Sequence, residues 1–231
     1  MALADDIRDL RDRTVAELTR AHDYFIDSKM AWRIVRKVIR AGGKLSSVNS
    51  TTGSAITETT LAAKSERYVT EQLAEATFQQ FVATFENFFF DLLRLWLMAY
   101  PQSLGEKDVP LKIVLAATDK EAVALHVVNK ELNEIAYERP KEWFRYLDGR
   151  VKLGCPTDEQ IDRIAEAKAS RDILAHNRGT ANKVYTVKAG KLARFEEGQK
   201  LVIPESYHRA TWESIRTMVT DLCDSAIAKV T

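Results

Sequence analysis

The chain has 231 residues, 45% of them hydrophobic, with only nine Gly and five Pro. Such a length and apolar content suit a proper core and exclude a disulfide-stapled miniature or a disordered chain, while the scarcity of turn residues argues against a strand-rich sandwich. Its 34 Lys and Arg against 33 Asp and Glu leave a formal charge of +1, which excludes a globally basic nucleic-acid coat but leaves room for a local basic patch.

Leu3, Ile7, Leu10, Leu18 and Phe25 recur at helical spacing among charges. The pattern runs to Ile39 and stops at Gly42-Gly43, which predicts a long first helix ending there. Residues 1–13 carry no apolar run behind a basic start. The longest apolar stretch, Phe88 to Tyr100, is broken by Asp91 and Arg94 and falls short of the roughly 18–20 residues of a membrane span. The expectation is a cytoplasmic protein with no membrane partner.

Residues 45–57 are dense in Ser and Thr and read as an exposed loop. A second long helix is predicted from Thr57–Glu58 to Tyr100, ended by Pro101. Along it Phe81, Phe85, Phe88, Phe89, Leu92 and Trp96 form a wide apolar face, which reads as core. Residues 119–138 and 140–148 suggest two shorter helices separated at Pro140. Thr157 with Gln160 three positions on forms a capping box, opening a helix to about Asn177. Between 183 and 203, β-branched and aromatic residues around Gly190 and Gly198 predict a small β-hairpin. Pro204 and Ser206 then open a last helix, with Ile215, Met218, Val219, Leu222, Cys223 and Ala226 on one face. The fold class expected is all-α: an antiparallel helical bundle with long N-terminal helices and a small hairpin insertion near 183–203. No repeat or biased linker divides the chain, so 1–231 reads as a single helical domain, with residues 1–57 its N-terminal basic helix and loop.

The usual catalytic spacings are missing: there is no HExxH, GxSxG, glycine-rich phosphate loop or CxxC. His22, His126, His176 and His208 are too scattered for a local ligand pair, so no metal and no cofactor are expected. Cys155 and Cys223 read as two small hydrophobes in a reducing compartment.

Two features stand out. From Ser28 to Thr57 there is no acidic residue, while Lys29, Arg33, Arg36, Lys37, Arg40 and Lys44 supply six positive charges. On one helix all six fall within an arc of roughly 100°, with Trp32, Val35 and Ile39 opposite, together with Ile34 and Val38. This stripe is either an RNA-binding surface or a solvated helix face. The second feature is the run Ser170-Arg171-Asp172-Ile173-Leu174-Ala175-His176-Asn177-Arg178-Gly179, which crowds polar groups at a helix end. Asp172 and His176 are four apart and share a face, whereas Arg171 lies about 140° around the helix from His176. One reading is a C-terminal cap, in which His176 meets the helix dipole and Asn177 takes a left-handed turn.

Arg171, four intervening residues, then His176-Asn177 with Gly179 close behind, resembles the R-x4-6-H signature of the HEPN superfamily. In that family the residue after the arginine is usually Asn; here it is Asp172. The aromatic-rich helix from Phe78 to Trp96, the helix bearing Arg and His, a short extended segment and a closing amphipathic helix are similar to one HEPN branch. Residues 58–231 would then be the HEPN-like bundle. The resemblance implies a metal-independent endoribonuclease active as a homodimer, with both copies of the motif facing one cleft. It also implies a toxin or antiviral defence effector, with an antitoxin or other regulatory protein as partner. Arg171, Asp172, His176 and Asn177 would be its catalytic residues. An imidazole can move the proton of a ribose 2′-hydroxyl or of the leaving 5′-oxygen, and a guanidinium fork fits the charged phosphorane. Asp172 would orient the imidazole, and Asn177 would position the histidine or a phosphate oxygen. With Arg171 and His176 taken as exposed helix-end residues, their removal is expected to leave the fold intact. The competing expectation, given Asp172 in place of Asn and a net charge near zero, is a non-catalytic HEPN-like module that binds RNA, nucleotide or a protein partner. A plain helical scaffold, with His176 only a cap, is the third.

Overall fold

The computed structural model describes residues 2–45 and 47–230. Its elements are helical throughout, beginning with α1 (Ala2–Arg40). Ile7, Leu10, Thr14, Leu18, Ala21 and Phe25 are buried at steps of three and four, so one stripe of α1 faces the core as far as Phe25. Beyond Phe25 no residue of α1 is buried. In its basic half the first helix is therefore only partly covered, lying against the start of the second long helix through Trp32 and Arg36.

The second long helix is built as expected, with one irregularity. Thr57 caps α2 (Glu58–Arg67), a π-helical turn follows over Tyr68–Leu73, and α3 (Ala74–Ala99) continues the same rod to Pro101. Phe81, Phe85, Phe88, Phe89, Leu92 and Trp96 are all buried, which makes α3 the spine of the molecule. A single helical turn, α4 (Leu111–Ala116), precedes α5 (Lys120–Ala136), and Pro140 at the first position opens α6 (Pro140–Val151). The capping box is present: the Thr157 hydroxyl accepts from the Gln160 amide, and the Gln160 side chain accepts from the Thr157 amide. It opens α7 (Asp158–His176). The closing helix, α9 (Glu205–Val230), buries Ile215, Met218, Val219, Leu222, Cys223 and Ala226.

The hairpin expected at 183–203 is not there; among the described residues no strand occurs in that segment. Instead Asn182 accepts from the Tyr185 amide at 2.9 Å and caps α8 (Lys183–Ala189), which ends in a short 3-10 turn, Gly190–Leu192. Burial decides the matter. Tyr185 and Ala189, four apart, are the pair that packs inward, while Val184 and Val187 are exposed, so the apolar period is helical despite the β-branched composition. An isolated antiparallel bridge between Thr180 and Lys200 helps to clasp the two ends of the segment. In the Ser/Thr-rich loop a similar bridge joins Val48 to Ala55.

Two apolar clusters hold the bundle together. The larger sits where α1, α3 and α9 meet, and includes Leu18, Phe85, Phe89, Leu93, Trp143, Met218 and Leu222. The smaller gathers Phe25, Phe78, Val82, Ile173, Tyr185, Leu201 and Ile203. It fixes the C-terminal half of α7 against α3 and α8. No helix among the described residues is long and apolar enough to cross a membrane.

Candidate active site

The end of α7 is closed by backbone geometry. The Asn177 and Gly179 amides both donate to the Ile173 carbonyl at 3.0 Å, and the Thr180 amide donates to the Asn177 carbonyl. The chain turns through positive φ at Arg178 and Gly179, whereas Asn177 keeps φ −126°. The left-handed residue at this cap is therefore not Asn177, as the capping reading expects, but the two that follow it. The Asn177 side chain donates to the Thr180 carbonyl, tying the turn together, and Lys200 donates to the Arg178 carbonyl from across it. These bonds set His176 at the last helical position with its side chain in solvent.

Arg171 and Asp172, one turn earlier, belong to an ion cluster. The Arg171 guanidinium pairs with Glu86 of α3 through Nη2 and lies 3.4 Å from Asp172 through Nη1. Lys168 reaches the other oxygen of Glu86 at 2.5 Å and Asp172 at 3.9 Å. Lys188 of α8 lies 3.2 Å from Asp172. The Arg171 side chain is 21% exposed and that of Glu86 17%, so this is a half-buried network at the protein surface. Three cations share two carboxylates, leaving one positive charge in excess. Such a patch suits an anion.

Asp172 does not approach His176 as their spacing suggested; its oxygens go to Lys188, Arg171 and Lys168. The reason is α8, which places an ammonium within reach of the carboxylate. Arg171 likewise departs from the expected exposed position, because Glu86 draws it against α3.

A second, more deeply buried network supports the site from behind. Glu166, 4% exposed, accepts from the hydroxyls of Ser170 (2.7 Å), Tyr185 (3.2 Å) and Tyr207, and from Arg194 Nε at 3.1 Å. The Tyr185 oxygen in turn accepts from the Arg194 amide at 3.0 Å. Burial first, and the Glu166 charge second, push the Tyr207 phenol well above its ordinary value. Through these bonds α7, α8 and α9 are locked around one carboxylate, and Lys188 is carried into place.

The basic stripe is divided by the fold. α1 ends at Arg40, so Lys44 lies off the helix and the six charges do not share one arc. Gly42, at φ +80°, turns the chain between them. Lys29 pairs with Glu205, and Arg36 lies 3.1 Å from Glu66. Arg33, Lys37 and Arg40 are exposed and meet no carboxylate among the described residues. The opposing face is only partly committed to packing: the Trp32 ring meets Tyr68 at 5.7 Å, but Ile34 and Val38 are exposed.

Sequence reasoning missed Glu86, Lys168 and Lys188. Lys168 and Asp172 are four apart on α7, a detectable pair. Glu86 interrupts an aromatic run, but nothing local names a partner 85 residues away. Lys188 is masked by the strand-like composition around it, which points to a hairpin rather than a helix. Among the described residues no group of three or more His, Cys, Asp or Glu could hold a metal. The chain matches no protein-family model, no curated protein and no solved structure.

Proposed function

We propose that this chain is a metal-independent endoribonuclease of HEPN type, working in the cytoplasm at a cleft between two copies of itself as a toxin or antiviral defence effector. The observation that carries the reading is the exposed imidazole of His176 one helical turn beyond a surface cluster with one excess positive charge, Lys168, Arg171 and Lys188 around Glu86 and Asp172. His176 takes the proton of a ribose 2′-hydroxyl as that oxygen attacks the adjacent phosphorus. The bond from phosphorus to the 5′-oxygen then breaks, the leaving oxygen takes that proton from the imidazolium of His176, and a 2′,3′-cyclic phosphate remains. The guanidinium of Arg171 faces the non-bridging oxygens, where charge builds in the phosphorane. Because Arg171 and His176 point about 140° apart on an ideal helix, a cleft that uses the arginine of one copy and the histidine of the other accommodates both. Arg33, Lys37 and Arg40, free of carboxylate partners, supply further phosphate contacts.

The commitment of Arg171 to Glu86 and Asp172 favours a second reading, a non-catalytic module that binds RNA, nucleotide or a regulatory protein such as an antitoxin. Purified protein incubated with mixed RNA in EDTA separates the two. Cleavage by the wild type, absent in His176→Ala, supports the nuclease. Intact RNA in both, or cleavage that requires an added divalent metal, rejects it.

A further inference from the structure

Glu86 contacts no ligand in either reading, yet it holds two of the three cations of the cluster. It lies midway along α3 beside the buried aromatic face, and its carboxylate divides between two cations of α7: one oxygen to Lys168 and the other to Arg171. Both terminal nitrogens of Arg171 thus face carboxylates, Nη2 that of Glu86 and Nη1 that of Asp172, while its Nε is buried with no partner. A carboxylate and a phosphate present a guanidinium with the same feature, two oxygens spaced to match its fork. A phosphate oxygen that takes Nη2 must displace the Glu86 oxygen that holds it.

We propose that Glu86 is a latch on Arg171, occupying in the free protein the place that an RNA phosphate takes in the complex. This inference rests on the ribonuclease reading and concerns the regulation of its arginine. On binding, a phosphate displaces the Glu86 carboxylate from Arg171, and Glu86 remains paired with Lys168, so no carboxylate is left unpaired on the half-buried face. The latch keeps Lys168 and Arg171 from repelling one another while the site is empty. It also lowers affinity for any polyanion too weakly held to displace it. Specificity for a substrate that makes several contacts at once follows from that cost.

The test uses a 2′-O-methyl oligoribonucleotide, which carries the phosphates but lacks the nucleophile and is not cut. Its affinity for the full chain is measured by fluorescence anisotropy across a salt series. Glu86→Gln keeps the shape and one acceptor oxygen, and is expected to bind roughly three- to tenfold more tightly at low salt. Its log–log salt dependence should steepen by about 0.7, the value of one added phosphate contact on a single strand. In Glu86→Gln/Arg171→Ala the gain should vanish, because it passes through the arginine. Lys168→Gln leaves Glu86 to Arg171 alone and should weaken binding. Unchanged affinity in Glu86→Gln, a gain that survives loss of Arg171, or no binding by any variant overturns the latch. So does slower cleavage of natural RNA by Glu86→Gln at unchanged affinity, which makes Glu86 a positioning residue instead. If Glu86→Gln binds more tightly through Arg171 but no variant cuts natural RNA, the ribonuclease reading fails and the latch stands.

Discussion

His176 stands in solvent at the end of α7, whereas Arg171, one turn earlier, is bound to another helix. The two alanine variants are therefore expected to agree in activity and differ in stability. Both abolish cleavage on the nuclease reading. His176→Ala should leave Tm unchanged within the roughly 0.5 kcal/mol usual for surface substitutions. Arg171→Ala strips Glu86 and Asp172 of a shared partner and should cost about 1–2 kcal/mol, or roughly 2–8 °C in a thermal melt. Equal Tm values for the two variants would show that the Glu86 pair adds no stability. A different histidine makes the fold sensitive to acid. His208 is fully buried between Phe25, Phe81 and the ring of His22, and its Nε2 lies 2.7 Å from the Thr77 hydroxyl. That hydroxyl donates to the Leu73 carbonyl, so Nε2 carries the hydrogen and Nδ1 is bare, buried and without an acceptor for a second proton. Desolvation foremost, with the nearby His22, pulls the His208 imidazole down to about 4, against the opposing pull of Glu205. Above the unfolded value near 6.5 both states are neutral and stability does not change with pH on this account. As pH falls from there toward 4 the unfolded chain takes the proton first, and stability should drop by about 3 kcal/mol before levelling. Melting curves between pH 7 and 4 should show this loss in the wild type and a flatter course in His208→Phe.

At the scale of the element, α1 is two helices in one. Its first half is a core helix, and its second half is covered on one side only, with Arg33, Lys37 and Arg40 in solvent. Charge reversal at Arg33 and Arg40 together is expected to weaken RNA binding across sequences, since phosphate contacts position without specifying. Every phosphate that the variant no longer neutralises should flatten the salt dependence by roughly 0.7–1 unit of log–log slope. The fold should survive, because neither side chain packs or pairs. Lys29 and Arg36 are poorer contributors, being partly neutralised by Glu205 and Glu66. If the double variant binds RNA with unchanged affinity and slope, the stripe is a solvated face, and the cluster at α7 must hold the substrate alone.

For the whole molecule the decisive question is whether one copy suffices. A composite cleft that takes Arg171 from one protomer and His176 from the other makes a simple prediction. Arg171→Ala and His176→Ala, each inactive, should regain measurable cleavage when mixed and allowed to exchange subunits, because the mixed dimer contains one intact pair. Native mass spectrometry, which separates the mixed dimer from the two homodimers by mass, checks that exchange has occurred. Recovery absent in a confirmed mixed dimer would place both side chains of a working pair in one protomer.

What the sequence determined by itself is what neighbours along the chain determine. The Thr157–Gln160 box, the stop at Pro101 and the buried faces of α3 and α9 are set by residues three and four apart, and all are legible as spacing. The arginine–histidine run was legible too, as was its place at the end of a helix. Where spacing was ambiguous, the tertiary structure decided. Residues 183–189 have the composition of a strand, yet burying Tyr185 and Ala189 in one core selects the helix, and that helix brings Lys188 to Asp172. The link between Glu86 and Arg171, 85 residues apart, exists only because α3 and α7 pack side by side. Charges pair by distance in space, not in sequence. Which ions neutralise which was therefore settled only when the bundle closed.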